Sequence, residues 1–223
     1  KGMLSPYFIT NPQRMEAVIN DAYIVFLNKN ISLNNEIIPI LERMAVASKN
    51  IVIVADQLGG DALATIAANK MKGNINAVAV SAPGHGDNKK NYLEDLAILT
   101  GGVVISNENP VDINKDFDWL GQAKQVVSSR ESTVIIGGKG DKDKIKERLV
   151  AMRKQKEDEK SKFEKEKIEE RLARMSTGVA VIHVGAKTEI EMREKIERVK
   201  DAIGAATAAR EEGIIPGGGT IFL

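Results

Sequence analysis

Short runs of Val, Ile and Ala recur along this chain, and most are followed by a stretch with helical spacing. Residues 23–27, 51–55, 77–80, 103–105, 133–137 and 179–184 are continuous apolar segments bounded by polar residues or glycine, the pattern of strands covered on both faces. Between them, 36–48, 61–72 and 91–100 place apolar residues three and four apart and predict helices. Strand and helix in alternation predict an α/β domain with a largely parallel sheet.

Composition excludes several classes of function. At 223 residues the chain exceeds the usual single domain, so one large domain with an appended piece is expected. Lys and Arg number 32 against 31 Asp and Glu, a net charge of +1, which gives no global field toward nucleic acid or an anionic membrane. There is no cysteine, so disulfides and Cys-ligated zinc are out, in keeping with a reducing compartment. No apolar run approaches the roughly 20 residues that span a bilayer, and the first residues lack a signal-peptide layout. The expectation is a soluble, cytoplasmic protein with no nucleic-acid or membrane partner.

Two later segments break the rhythm. Residues 141–175 are dominated by Lys, Glu and Arg, with Ile145, Leu149, Met152, Phe163, Ile168 and Leu172 at roughly helical intervals. They predict two helices packed as a hairpin with a thin apolar seam, breaking near 157–160; acids match bases throughout, so a solvated pair is favoured over a nucleic-acid surface. Further on, Thr188 with Glu191 reads as a capping box opening the last helix. Its stripe of Met192, Ile196, Val199 and Ile203 suggests a connector, with a boundary near 178–185.

In helix 36–48, Ile37, Ile40, Met44 and Ala47 share one flank while Ile38, Leu41 and Ala45 share the next, so the apolar arc spans about half the circumference. Either both flanks are buried, or one is kept for a partner. Pro39 is expected in the first turn, where its missing N–H costs little. Met3, Leu4, Tyr7, Phe8 and Ile9 add an apolar cluster that Pro6 holds extended, either a core plug or an exposed adhesive edge. Near the other end, an Ala-rich helix bearing Asp201 runs into Gly217, Gly218 and Gly219. Bare backbone there could approach a phosphate, or could be a flexible loop; Asp201 by itself reads as a solvated surface acid.

The runs Gly2-Met3-Leu4-Ser5-Pro6-Tyr7-Phe8-Ile9, Gly60-Asp61-Ala62-Leu63-Ala64-Thr65, Ala82-Pro83-Gly84-His85-Gly86-Asp87, Leu99-Thr100-Gly101-Gly102, Leu120-Gly121-Gln122-Ala123-Lys124, Gly178-Val179-Ala180-Val181-Ile182 and Gly217-Gly218-Gly219, with 42–47, stand in order. In that order they resemble the signature blocks of group I chaperonins of the GroEL type, over essentially the whole chain. The resemblance implies an apical, polypeptide-binding domain at 1–176, the second half of an intermediate domain at 177–212, and the start of a return to the equatorial domain at 213–223. It therefore implies a piece of a larger protein. Members of that family stack in double heptameric rings, capture non-native polypeptides on an apolar groove, and exchange them for a GroES-type co-chaperonin lid during an ATP cycle.

The positions matching that groove are Met3, Tyr7, Phe8, Ile38, Leu41, Leu63, Ala67 and Ala68. Asp201 matches the acid that orients the attacking water, and Gly218 lies in the glycine turn near the nucleotide. Phosphate-loop and magnesium residues are not among those present, so the resemblance implies ATP and Mg for the parent only, and for this chain alone no hydrolysis, no cofactor and a monomer. Met3 stands where the family usually has an aromatic, and Ala67 and Ala68 where it has β-branched residues, implying a shallower groove. His85 replaces an aromatic in its turn; with His183 on a distant segment, neither histidine reads as a metal ligand. The competing readings are an α/β phosphate- or nucleotide-binding enzyme using 82–90 and 217–219, and a structural scaffold built on the charged hairpin.

Overall fold

The computed structural model of the chain describes residues 1–84, 86–177, 182 and 184–217, with Asp87 and Glu211 described by their backbone alone. It divides into two compact units, Lys1–Val179 and Ala180–Leu223.

The first unit is built around β1, Ala17–Ile31, whose 15 residues carry neighbours on both edges. On one edge it pairs in parallel with β2, Asn50–Leu58, which pairs in parallel with β3, Asn76–Ser81. On the other edge it is long enough for two partners in succession. Ala17 to Ile24 pair antiparallel with β5, Gly121–Ser128, and Phe26 to Asn28 pair in parallel with β4, Val104–Ser106. Outermost on that side, β6, Thr133–Gly138, is antiparallel to β5.

The parallel half contains strands read from their apolar runs, and each is linked to the next by a helix: α1, Asn34–Ala47; α2, Gly60–Met71; α3, Asp87–Thr100. The antiparallel half departs from the expected parallel sheet because its connections carry no helix. Residues 107–120 join β4 to β5 as a loop, and β5 turns directly into β6 at Ser129, whose N–H donates to the Ser132 carbonyl at 2.8 Å. A two-strand turn can only close antiparallel. Strand β5 itself carries no continuous apolar run: exposed Lys124 and half-buried Gln125 separate buried Ala123 from buried Val126, which lies three residues on and so on the opposite face. For the segment read as a strand at 179–184, Val179, Ala180, Val181 and His183 lie outside the described residues, and Ile182 and Val184 are not in a strand.

The hairpin forms as α4, Lys142–Asp158, and α5, Lys162–Thr177. The break has a local cause: the Glu159 carboxylate accepts from the N–H groups of Lys160 at 2.8 Å and Ser161 at 2.9 Å, and the Ser161 hydroxyl then accepts from Glu164 N–H. Met152, Ile168 and Met175 are buried against Ile145, Leu149 and Leu172 and against Ile98 and Leu99 of α3. Phe163, expected in this seam, is instead exposed, with Lys167 5.6 Å from its ring centre.

Beneath the seam lies a group of charges that periodicity does not reveal. Asp95 of α3 and Arg171 of α5 are 4% and 2% exposed. Arg171 Nε donates to Asp95 Oδ2 at 2.6 Å and its Nη2 to Oδ1 at 3.0 Å; Arg148 Nε of α4 donates to the same Oδ1 at 2.9 Å and its Nη2 to Glu94 at 3.1 Å. One carboxylate thus ties both hairpin helices to α3. Asp95→Ala strands the Arg171 guanidinium in the interior, and we expect it to cost about 3–5 kcal/mol, read as a lowered urea midpoint at unchanged slope. A loss under about 1 kcal/mol is what an exposed ion pair gives and would contradict the assignment.

In the second unit, α6, Glu189–Glu212, is a 24-residue helix. Thr188 caps it as expected, its hydroxyl accepting from Glu191 N–H at 3.3 Å, while the Glu191 carboxylate accepts from Lys187 N–H rather than from Thr188. Ion pairs one turn apart, Arg193 with Glu189, Lys195 with Glu191 and Arg198 with Glu194, run along its surface. Met192, Ile196 and Val199 are half-buried and Ile203 is exposed.

Candidate functional site

Helix α1 begins two residues before the expected position. Glu36 causes this, because its carboxylate accepts from the N–H groups of Ser32 and Leu33, each at 3.1 Å. Those bonds, Leu33 first and Ser32 second, hold the Glu36 carboxyl below the usual range. Pro39 consequently sits in the second turn, not the first, and cannot donate to the Asn35 carbonyl four residues back. The apolar arc divides differently from the sequence reading. Ile37, Ile40 and Met44 are buried as expected, but Leu41, one turn beyond Ile37, joins them at 6% exposure. Outward lie Ile38, 39% exposed, with Glu42, Ala45 and Val46.

Helix α2 packs beside α1, and the Thr65 hydroxyl donates to Asn34 Oδ1 at 2.7 Å between them. Ala62, Ile66 and Ala67 are buried, whereas Leu63 and Ala68 remain half-exposed. Ala67 therefore adds no surface to a groove, and the shallowness inferred from small residues rests on Ala68.

The amino-terminal segment is threaded into the first unit by its backbone. Met3 N–H donates to the Ser129 carbonyl at 2.8 Å and Leu4 N–H to the Ala79 carbonyl at 2.9 Å. Gly2 has no room for a side chain, since a Cβ would meet the backbone of Ser129 and Arg130 at 2.3 Å. Residues Pro6–Phe8 form one 3-10 turn against α2, with Ser5 as its cap. This turn settles the alternatives of plug and adhesive edge by doing both: Phe8 is 0% exposed in the core and Tyr7 is 67% exposed. Met3 is half-buried against the core.

Of the residues matched to the groove, Tyr7, Ile38, Leu63 and Ala68 thus present apolar surface on and beside α2. Phe8, Leu41 and Ala67 are core residues that support it. Asp201 is exposed on α6 in the second unit, and Gly218, like His85 and His183, lies outside the described residues.

Two contacts at the site were invisible in the sequence. Arg43 of α1 donates to the carbonyls of Ile113 at 2.9 Å and Asn114 at 3.2 Å and lies 4.1 Å from the centre of the Phe117 ring, fixing the β4–β5 loop to this helix. Lys70 of α2 donates through Nζ to the Phe8 carbonyl and lies 5.8 Å from the Phe8 ring centre. A separation of some 60 to 70 residues leaves no periodic signal for either.

The family comparison agrees with this architecture. A model described as the TCP-1/cpn60 chaperonin family matches residues 12–223. The chain belongs to the TCP-1/cpn60 chaperonin family. Membership carries a chaperone function in protein folding, polypeptide substrates and assembly into oligomers as general properties. No described helix of this chaperonin chain is long and apolar enough to cross a membrane.

Burial pushes the Lys70 ammonium down from its ordinary value near 10.5 to about 8. Between those values the Lys70 side chain binds the proton in the unfolded chain and not in the folded one, so the contribution of Lys70 to stability rises with pH from about 8 to 10.5. We expect the difference in melting temperature between the chaperonin chain and its Lys70→Met variant to change over that window and to be flat below it; a difference constant from pH 6 to 10.5 would show that Lys70 titrates as a solvated lysine.

Proposed function

We propose that the first unit is the polypeptide-binding, apical domain of a group I chaperonin, and that it captures non-native chains on the surface of α1 and α2. The observation that carries this reading is the outward Ile38, Leu63 and Ala68 on two packed helices, with Tyr7 exposed on the turn beside them. Such a surface, mostly aliphatic and open, takes an extended or helical apolar peptide by burial and does not read its sequence. A GroES-type co-chaperonin segment is the second occupant proposed for the same groove, in a double heptameric ring located in the cytoplasm. The proposed division is 1–176 apical, 177–212 intermediate, and 213–223 returning toward an equatorial domain.

Burying one large aliphatic side chain contributes about 1.5–3 kcal/mol. Ile38→Glu, at an exposed position, is therefore expected to weaken binding of an unfolded polypeptide at least tenfold with little change in melting temperature. Wild-type affinity in this folded variant would remove the groove. Leu41→Glu is not an equivalent test, because a carboxylate at that buried position attacks the fold itself.

ATP and Mg belong to the proposed cycle of a longer chain. Asp201 is a single exposed acid on α6, and we retain its assignment to water orientation as an expectation for the longer protein only. The rival reading, a phosphate-binding loop at 82–90, is disfavoured because both lysines there are engaged: Lys89 pairs with Asp56 at the end of β2, and Lys90 with Glu108 at 2.6 Å. ATP with Mg is expected to leave the melting temperature of the 223-residue chain unchanged, whereas stabilisation by several degrees would favour the phosphate-binding enzyme. In a longer chain that hydrolyses ATP, Asp201→Ala is expected to lower single-turnover hydrolysis by a factor on the order of a hundred or more while equilibrium nucleotide binding persists.

A further inference from the structure

The turn that displays Tyr7 closes on itself: Phe8 N–H donates to the Ser5 carbonyl at 3.2 Å and Ile9 N–H to the Pro6 carbonyl at 3.1 Å. Those bonds shape the turn without placing it against α2. The polar contact that does so is the bond from Lys70 Nζ to the Phe8 carbonyl, across 62 residues, with the same ammonium over the Phe8 ring. Among the described residues Lys70 makes no ion pair with an acid, so this backbone oxygen and this ring are what its charge addresses. Burial strong enough to hold it near 8 agrees with an ammonium seated inside the contact instead of in bulk water. The geometry also explains how neighbouring aromatic residues take opposite roles. Phe8 goes inward beneath Lys70, and the turn, packed against α2, then leaves Tyr7 outward.

We propose that Lys70 is a positioning residue for polypeptide capture: by holding the Phe8 carbonyl it seats the Tyr7 side chain on the border of the α1–α2 groove, where Tyr7 is the aromatic surface offered to an apolar chain. The inference rests on the groove reading above and adds a residue that touches no client. Without Lys70 the Phe8 carbonyl loses a charge-assisted partner and the turn is free to shift, so Tyr7 contributes less to a bound chain.

The test is a thermodynamic cycle on the 223-residue chain, titrated with an end-blocked peptide of alternating Leu and Ser, alongside a thermal melt of each variant. Tyr7→Ala and Lys70→Met are each expected to weaken binding about fivefold, the size of one charge-assisted hydrogen bond or a partly buried ring. Because Lys70 acts through Tyr7, the double variant should bind no more weakly than Tyr7→Ala alone. Lys70→Arg, which keeps a cationic donor, should restore affinity; a merely structural lysine would move the melt and not this pattern. Lys70→Ala replaces Lys70→Met if the latter folds poorly. Wild-type affinity in Lys70→Met or Tyr7→Ala, losses that multiply in the double variant, or no rescue by arginine would each overturn the proposal. Ile38→Glu in the same series reports on the groove itself: a loss there beside an unaffected Lys70→Met retires Lys70 and leaves the groove standing, whereas no loss there retires the groove.

Discussion

Strand β1 has to be covered on both faces and paired along both edges, and most of the first unit can be understood as what that requires. Ile24, Val25, Phe26 and Leu27 are buried in succession, so no face of the strand is left for water. A 15-residue strand also exposes more backbone than one neighbour can satisfy, and β2, β4 and β5 share it. The parallel partners need helical crossovers, which places α1 and α2 in the connections flanking β2. The antiparallel partner needs none, which frees the β4–β5 loop to fold over and meet Arg43. The candidate groove is therefore a by-product of the crossovers: once α1 and α2 have turned Ile37, Met44, Ala62 and Ile66 inward, helical geometry leaves Ile38 and part of Leu63 outside.

The charged hairpin is held by a different balance. Its apolar seam is thin, and the buried Asp95 with two arginines adds direction more than energy, since a desolvated ion pair recovers little beyond its own desolvation. Two arginines from two helices meeting one carboxylate specify where α4 and α5 sit on α3, which Met152, Ile168 and Met175 alone would leave open to sliding. In the second unit, helix α6 carries a capping threonine and ion pairs within itself, such a pair on a helix surface being worth about 0.2–0.5 kcal/mol.

The candidate site was legible in part. Residue types and order pointed to α1, α2 and the amino-terminal segment, and the family match supports a chaperonin chain. Inward and outward were harder, because Phe8 and Tyr7 are adjacent aromatics that composition treats alike, and only a 3-10 turn anchored by Ser5 and Lys70 sends them apart. The resemblance puts Leu41 in the groove with Ile38, and the periodic arc alone leaves open whether their flank is buried; burial separates the two, with Leu41 6% and Ile38 39% exposed.

Local sequence by itself determined the elements whose information is local: the double-covered parallel strands, the three crossover helices, the break at Glu159 and the cap at Thr188. Continuous apolar runs, 3.6-residue spacing and side chains that bond their own backbone act over a few residues, so a linear reading can see them. Tertiary structure alone decided the antiparallel half of the sheet, the burial of Asp95 with Arg171, the Arg43 hold on the β4–β5 loop and the seating of the Phe8 carbonyl on Lys70. Each of those depends on groups brought together from 50 or more residues apart or on a connection that lacks a helix, and for such pairs the energy lies in the meeting of two partners, which neither partner's own neighbourhood in the chain records.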